Sequence, residues 1–231
     1  MLDSLALIWM LSLWLGYTLL ASRLSKTHTC LASVLKLYRK QWLLRMLKRG
    51  TRIADANLLD QLRSSVGFFA STTILVVAGL VTGMAASDEG LSILSHLPVS
   101  AAITRELWEY RMLVLTAIFI YAFFEFSWSL RLYNYCAVLM GSAPLPEEVR
   151  KSEALGEAFA EKGARTISMA ATHFNYGLRA YYFGLASLAW FINVWFYLIL
   201  ITGVVVILYQ REFHSRALKT MAYSSTSDDF E

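Results

Sequence analysis

Long apolar runs separated by charged segments set the pattern of the chain. Four runs are long enough to cross a bilayer: residues 5–21, 66–86, 112–130 and 180–209. A hydrocarbon core of about 30 Å requires about 20 helical residues. The pattern therefore predicts an all-α membrane protein with four transmembrane helices.

The fourth run is longer than a single span requires. Its 30 apolar residues, 180–209, fit a tilted helix or a span that begins with an interfacial turn or two. Two interpretations of the stretch before it stay open. Residues 155–183 either lie at the interface or continue into the last span.

The first long polar segment, residues 23–63, predicts an amphipathic helix. Apolar residues recur at helical spacing from Leu31 to Met46, with basic residues between them. We expect this helix to lie on the anionic inner leaflet, the alternative being a docking helix for a partner protein. The cations expected to contact lipid are Lys36, Arg39, Lys40, Arg45, Lys48 and Arg49.

A second polar stretch, residues 147–165, alternates acidic and basic residues. Pairs such as Glu161 and Arg165 stand four positions apart, which is typical of a solvated or interfacial helix. The predicted architecture thus has one or two amphipathic helices on the cytoplasmic side. We assign residues 1–212 to a single membrane domain and expect a disordered polar tail over 213–231.

Composition supports the membrane class. Of 231 residues, 57% are hydrophobic and 16% charged, and the mean hydropathy is +0.48. Soluble domains usually carry about a quarter charged residues. The net charge of +4 is explained by cytoplasmic loops rich in Lys and Arg, so it does not indicate nucleic-acid binding.

The distribution of basic residues predicts the orientation. Four spans with both termini outside place the ten Lys and Arg of 23–63 and the six of 131–179 inside. Five remain outside, so the ratio is 16 to 5. Cytoplasmic loops carry the excess of Lys and Arg, which favours this orientation over its inverse.

No sequence motif indicates catalysis, a cofactor or a metal. Phosphate loops, HExxH, GxSxG and EF-hand patterns are absent from the sequence. The four histidines stand in different segments without helical-spacing partners. We therefore assign no catalytic, cofactor-binding or metal residues, and the sequence favours a protein that is not an enzyme.

An acid inside the third apolar run is the candidate functional feature. Glu125 lies five residues before the end of that run, at the depth where the fourth run begins near Arg179. We expect the two to meet across a helix interface, and favour a structural ion pair over a gate or a proton- or ion-binding site. The predicted hydrogen-bonding neighbours are His173, Asn175, Gln61 and Asn134.

Three further residues are predicted to serve helix packing. Gly79 and Gly83 form a small-xxx-small pair in the second span, which permits close approach of helices in lipid. Asn193, in the middle of the fourth run, is expected to form an interhelical hydrogen bond.

An ordered series of motifs resembles a known family. These are YRKQWLLRML, ADANLLDQLRSSVGFFASTTILVVAGL, FFEFSWSLRLYNY and HFNYGLRAYYFGLASLAWF, within residues 5–212. They resemble the bacterial inner-membrane proteins, with plant relatives, known as domain of unknown function 599. The resemblance implies a multi-helix domain of the inner membrane, with both termini in the periplasm under the predicted orientation. It implies no established activity.

Three functions are compatible with the sequence. A homo-oligomeric channel- or transporter-like protein is favoured by Glu125 and the Gly79/Gly83 surface. A scaffold that presents a basic inner surface to lipid or protein is the alternative. A membrane-embedded enzyme acting on lipid has the least support, because no nucleophile–base or metal spacing is visible.

Overall fold

The computed structural model describes residues 2–95 and 104–223, and the regular structure over these ranges is entirely helical. The helices are α1 Leu2–Thr27, α2 Leu31–Leu47, α3 Ile53–Ala85, α4 Ser87–Ser95, α5 Arg105–Gly141, α6 Pro146–Lys151, α7 Glu153–Ser187, α8 Val194–Phe213 and α9 Arg216–Tyr223. A 3-10 turn, Leu188–Phe191, joins α7 to α8. His96 and the end of the predicted tail, 224–231, lie outside the described residues.

Four stretches of helix are long and apolar enough to cross a membrane. They are Leu2–Ser25, Ile53–Ala85, Arg105–Gly141 and Val194–Ala222. The prediction of an all-α protein with four apolar spans is confirmed. The last of these begins 14 residues later than the predicted run at 180, because residues 180–187 belong to α7.

An antiparallel pair, α5 and α7, forms the centre of the bundle. Glycines of α7 let the two backbones approach closely: an ideal Cβ on Gly184 would lie 2.9 Å from the Phe119 ring. The Ser129 hydroxyl donates to the Ala170 carbonyl, 2.7 Å away. Since α5 has 37 residues and α7 has 35, both are about 50 Å long and exceed the hydrocarbon thickness of about 30 Å.

The start of α1 meets the start of α5 and the α7–α8 turn at one end of the bundle. Arg111 donates from Nη2 to Asp3 Oδ1 at 2.6 Å and from Nη1 to the Trp190 carbonyl at 2.6 Å. We call this the Asp3 end. Because α8 begins at Val194, directly after the turn, it also starts at the Asp3 end.

The opposite end collects the end of α8, the start of α2 and helix α9. Ala32 N donates to Glu212 Oε1 at 3.4 Å, and the Tyr38 hydroxyl donates to the Met221 carbonyl at 3.1 Å. We call this the Glu212 end. The predicted topology placed α2 inside and the tail outside, and these contacts contradict it. Residues 216–223, predicted to be disordered, form α9.

The difference arises because α7 also runs the length of the bundle. Its C-terminal half lies beside α5 as far as Arg111, so the apolar run 180–209 is the end of one helix and the start of another. Polar residues such as His173 and Arg179 made this passage look interfacial in the sequence. The chain therefore passes along the bundle five times, with α1 starting and α8 ending at opposite ends.

Helix α2 packs along the first half of α7. Leu43, Met46 and Leu47 are buried, and an ideal Cβ on Gly163 of α7 would lie 2.6 Å from Leu43 Cδ1. Lys40 Nζ lies 2.9 Å from Glu157 Oε2 across the same interface. One side of the predicted amphipathic helix is thus covered by protein.

Candidate functional site

Glu125 of α5 pairs with His173 of α7. His173 Nδ1 lies 2.7 Å from Glu125 Oε2, and both side chains are partly buried. The rings of Trp128 and Tyr176 meet the His173 ring edge-on. The antiparallel register of α5 and α7 brings the acid and the imidazole to the same level.

The expected Glu125–Arg179 ion pair is wrong. Arg179 stands six residues beyond His173 on α7, which places it about 9 Å further along the axis and on a different face. Its guanidinium packs instead over the rings of Tyr17 and Tyr176, at 4.9 and 5.5 Å from their centroids. Tyr176 thus lies between the Glu125–His173 pair and Arg179.

Arg179 contributes to a cavity at the Glu212 end, between α1, α2, α7 and α8. Its volume is about 590 Å³, and an adjoining cavity of about 140 Å³ shares Asn175, Arg179 and Glu212 with it. We call the two together the basic cavity. Four cations line it against one carboxylate: Lys36, Arg39, Arg179, Arg211 and Glu212.

The arginines of the basic cavity have neutral partners. Arg39 Nη1 donates to Ser168 Oγ, and Arg211 Nη1 to the Tyr182 hydroxyl, each at 3.2 Å. Over residues 2–95 and 104–223, no carboxylate oxygen lies within 4.0 Å of Arg39, Arg179 or Arg211. Burial lowers the pKa of Arg39, because desolvation disfavours the cation.

Hydrogen-bonding and apolar groups complete the wall of the basic cavity. The polar side chains besides the charged ones are Tyr17, Ser25, Ser33, Ser168, Thr172, Asn175 and Tyr182, and the leucines are Leu31, Leu35, Leu178 and Leu208. The four cations and one carboxylate of the wall give a formal charge of +3, and one of these cations, Lys36, lies 3.9 Å from Glu161 outside the wall. Such a wall attracts an anion and offers apolar surface to a chain attached to it.

Comparison with known proteins identifies the family. The family model described as "Protein of unknown function, DUF599" matches residues 5–217. The chain belongs to the DUF599 family. Comparisons with curated proteins and with solved structures find no significant match. The matched range covers every residue of the basic cavity in this DUF599 chain, and the family's description assigns no activity to it.

The predicted polar cluster of the DUF599 chain divides in two. Glu125 and His173 form one group, and Asn175 and Arg179 line the basic cavity. Gln61, on α3, lines a separate shallow pocket with Ser64 and Phe68. Asn134, on α5, is exposed. The structure therefore brings neither Gln61 nor Asn134 to Glu125.

The cations predicted to contact lipid also have different surroundings. Lys36 and Arg39 line the basic cavity. Lys40 pairs with Glu157, whose hydrogen bond raises the pKa of the ammonium, and Arg49 pairs with Asp55 at 2.6 Å. Arg45 and Lys48 are exposed. Lipid contact by these six residues stays a prediction.

The predicted packing residues behave differently from one another. An ideal Cβ on Gly83 would lie 2.7 Å from Met112 Cε, whereas one on Gly79 would meet nothing within 4 Å. Asn193 caps α8, where its Oδ1 accepts from Trp195 N at 2.8 Å. The predicted interhelical role of Asn193 is wrong: an Asn inside an apolar run here marks a helix start.

Sequence reasoning missed two sets of residues. Arg211 and Glu212 follow the fourth apolar run, and a topology of four passages with both termini outside separates them from the basic residues of α2. Arg111 stands directly before the apolar run 112–130 in the sequence, yet it is 5% exposed and bridges Asp3 and Trp190. The sequence signals for this pair are the positions of Arg111, directly before the apolar run 112–130, and of Asp3, just before the run 5–21.

Among the described residues, no group of three or more His, Cys, Asp and Glu side chains is close enough to hold a metal ion. His28 lies directly after α1, His173 lies on α7, and His214 lies directly after α8. The arginines of the basic cavity are suited to bind an anion.

Proposed function

We propose that this DUF599 protein binds the phosphate group of an anionic amphiphile in its basic cavity. The observation that carries the proposal is the set of three arginines, Arg39, Arg179 and Arg211, that line one cavity without a carboxylate partner among the described residues. Guanidinium groups present several N–H donors in a planar fork that matches phosphate oxygens.

The apolar part of the wall favours a lipid over a free phosphate ion. Leu31, Leu35, Leu178 and Leu208 give inorganic phosphate no favourable contact, but they would cover part of an acyl chain. The depth of the cavity agrees with this. Trp190 lies at the Asp3 end, and Arg179 is 11 residues from it along α7 and the turn, or about 16 Å. Since the hydrocarbon core is about 30 Å thick, the cavity reaches below the headgroup level.

We further propose that the Glu212 end is cytoplasmic and the Asp3 end is periplasmic. Five passages bring the ten Lys and Arg of 23–63, the six of 131–179 and the three of 211–219 towards the Glu212 end. Only Arg105 and Arg111 remain at the Asp3 end. A ratio of 19 to 2 satisfies the positive-inside rule better than 16 to 5, and it places the basic cavity in the leaflet facing the cytoplasm.

Labelling with a membrane-impermeant maleimide tests this orientation. The exposed Asp88 lies beside Arg105 at the Asp3 end, so the variant Asp88→Cys should react in intact cells. The exposed Lys162 lies on the first half of α7, so the variant Lys162→Cys should react only after permeabilisation. A green fluorescent reporter fused after the tail should fluoresce, because it matures in the cytoplasm. The reverse labelling pattern would contradict the orientation.

Ligand binding is tested with a short-chain fluorescent phosphatidylglycerol titrated into purified protein in neutral detergent. Arg39→Gln and Arg179→Gln should each weaken binding about tenfold or more, since a hydrogen bond to a charged group contributes about 1.5–3 kcal/mol. Arg165→Gln is the matched control, because that side chain is 69% exposed and outside the cavity. Inorganic phosphate is titrated in a second arm.

The outcomes separate the two sources of phosphate. Tight lipid binding with weak competition by phosphate supports the amphiphile, whereas tight phosphate binding alone identifies a soluble anion. Equal affinities of the three variants and the wild-type protein would overturn the proposal.

A transport path through one copy of the chain receives less support. Above the basic cavity, aromatic side chains fill the described interior of one copy: Trp14 stacks on Phe183 at 5.1 Å, and Phe126 and Phe183 are fully buried. A path through a single copy would have to pass these rings. The Glu125–His173 pair is therefore better interpreted together with the basic cavity than as part of a pore.

A further inference from the structure

We propose that protonation at the Glu125–His173 pair controls anion binding in the basic cavity. The inference rests on the proposed function, since it concerns the regulation of the same site. It starts from a contiguous row of side chains on α7. His173 pairs with Glu125 at 2.7 Å, its ring meets Tyr176 at 5.8 Å between centroids, and Arg179 packs over Tyr176 at 5.5 Å.

The ionisable groups around the pair come from three helices. Helix α5 contributes Tyr121, one helical turn before Glu125, and α7 contributes Tyr176 and Arg179. Helix α1 contributes Tyr17, which lies beyond Arg179. The charges of α2 and α8 face Arg179 across the basic cavity: Lys36, Arg39, Arg211 and Glu212. Arg179 is therefore the charge that belongs both to the surroundings of the pair and to the cavity.

The net charge of the Glu125–His173 pair determines how strongly the positive charge of Arg179 attracts an anion in the cavity. With a neutral imidazole, the Glu125 carboxylate gives the pair a charge of −1, which attracts Arg179 and repels an anion. With a protonated imidazole, the pair is neutral overall, and the cavity acts on an anion with its full positive charge. Anion affinity should thus rise as pH falls.

The expected change is about tenfold. One unit charge about 10 Å away, at the effective dielectric constant of about 20 that suits partly buried sites, alters an anion's affinity by roughly this factor. Histidine is the side chain whose charge ordinarily changes between pH 5 and 8, so the comparison is made between these values.

The test measures binding of fluorescent phosphatidylglycerol at pH 5.5 and pH 8. Its phosphodiester keeps the same charge over this range, so the ligand itself does not titrate. The other histidines are replaced by glutamine in every sample: His28, His96 and His214. This background should bind about tenfold more tightly at pH 5.5 than at pH 8.

Two variants with opposite expected effects distinguish electrostatic control of anion binding from a structural role of the Glu125–His173 pair. His173→Gln leaves the Glu125 carboxylate unneutralised, so affinity should stay at the pH 8 level at both pH values. Adding Glu125→Gln to His173→Gln removes that charge, so affinity should return to the pH 5.5 level and stay there. A purely structural role for the pair predicts that the double variant binds no better than the single one.

The possible results are distinguishable. Binding that is independent of pH in the background, or a pH dependence that persists in His173→Gln, overturns the inference and leaves the proposed function intact. Absence of phosphatidylglycerol binding in every sample at both pH values overturns both. Rescue by the double variant supports both.

Discussion

Replacing Arg111 with alanine is expected to lower the free energy of unfolding by about 3–5 kcal/mol, the range for removing one partner of a buried ion pair. Arg111 is 5% exposed and its partner Asp3 is 16% exposed. The change would leave the Asp3 carboxylate without a cation and the Trp190 carbonyl without its 2.6 Å donor. It would also remove a cation packed over the Trp190 ring at 5.5 Å.

The reason for a large effect is that Arg111 connects three parts of the chain. Asp3 belongs to the first turn of α1, Arg111 to the second turn of α5, and Trp190 to the turn between α7 and α8. A 3-10 turn leaves backbone carbonyls without helical partners, and such groups are costly to bury without a donor. Arg111 supplies that donor.

Unfolding by SDS in mixed micelles, followed by circular dichroism, measures the change. Arg105→Ala is the matched control: it removes an arginine from the same helix, but one whose side chain is 60% exposed beside Asp88 and Glu109. Its effect should be much smaller than that of Arg111→Ala, because solvent screens exposed ion pairs. Equal losses for the two variants would contradict the bridging role assigned to Arg111.

A double-mutant cycle isolates the ion pair from the bond to Trp190. Asp3→Asn leaves the carbonyl contact of Arg111 in place, so it should cost less than Arg111→Ala. The combined variant should lose less than the sum of the single losses, because the two residues share an interaction. Additive losses would show that Asp3 and Arg111 act independently.

The fold class could be predicted from the sequence because hydrophobic runs report directly on burial in lipid. The runs at 5–21 and 112–130 fall within α1 and α5, and the run at 66–86 ends one residue beyond α3. The passage of α7 could not be found this way. In its second half, His173 pairs with Glu125, and Thr172, Asn175 and Arg179 line the basic cavity, so average hydropathy underestimates how much of α7 lies in the bundle.

The site was predicted in part for a related reason. Counting residues along the predicted helices places Glu125 and His173 at one level of the bundle. Such a count does not show which neighbouring helix each side chain faces. Six residues separate His173 from Arg179, and the helical repeat turns the two side chains to different neighbours. The basic cavity needs α1, α2, α7 and α8 together, and its members Arg211 and Glu212 could be included only after α7 was known to cross the bundle.

Small residues of α7 illustrate the same limit. The glycine pair visible in the sequence is Gly79 and Gly83, yet Gly177 also packs tightly: its ideal Cβ would lie 2.7 Å from Phe126 Cδ1. Spacing alone identifies positions where helices can approach. It does not tell which glycines face another helix and which face lipid.

Gly177→Val is therefore expected to destabilise the protein by about 3 kcal/mol, at the upper end of the cost of overpacking a core. Phe126 is fully buried and cannot move aside easily, because its ring is in contact with Phe69, Phe174 and Tyr181. Any displacement of Phe126 would also disturb the level at which Glu125, its neighbour in sequence, meets His173.

Gly79→Val is the control that makes this prediction sharp. Both glycines lie inside long helices with ordinary negative φ, and both substitutions introduce the same β-branched side chain. Because nothing lies within 4 Å of a Cβ at Gly79, its replacement should change the free energy of unfolding by less than about 0.5 kcal/mol, as is usual for exposed positions. A loss at position 79 equal to that at 177 would mean that an unobserved partner, such as a second copy of the chain, packs on α3.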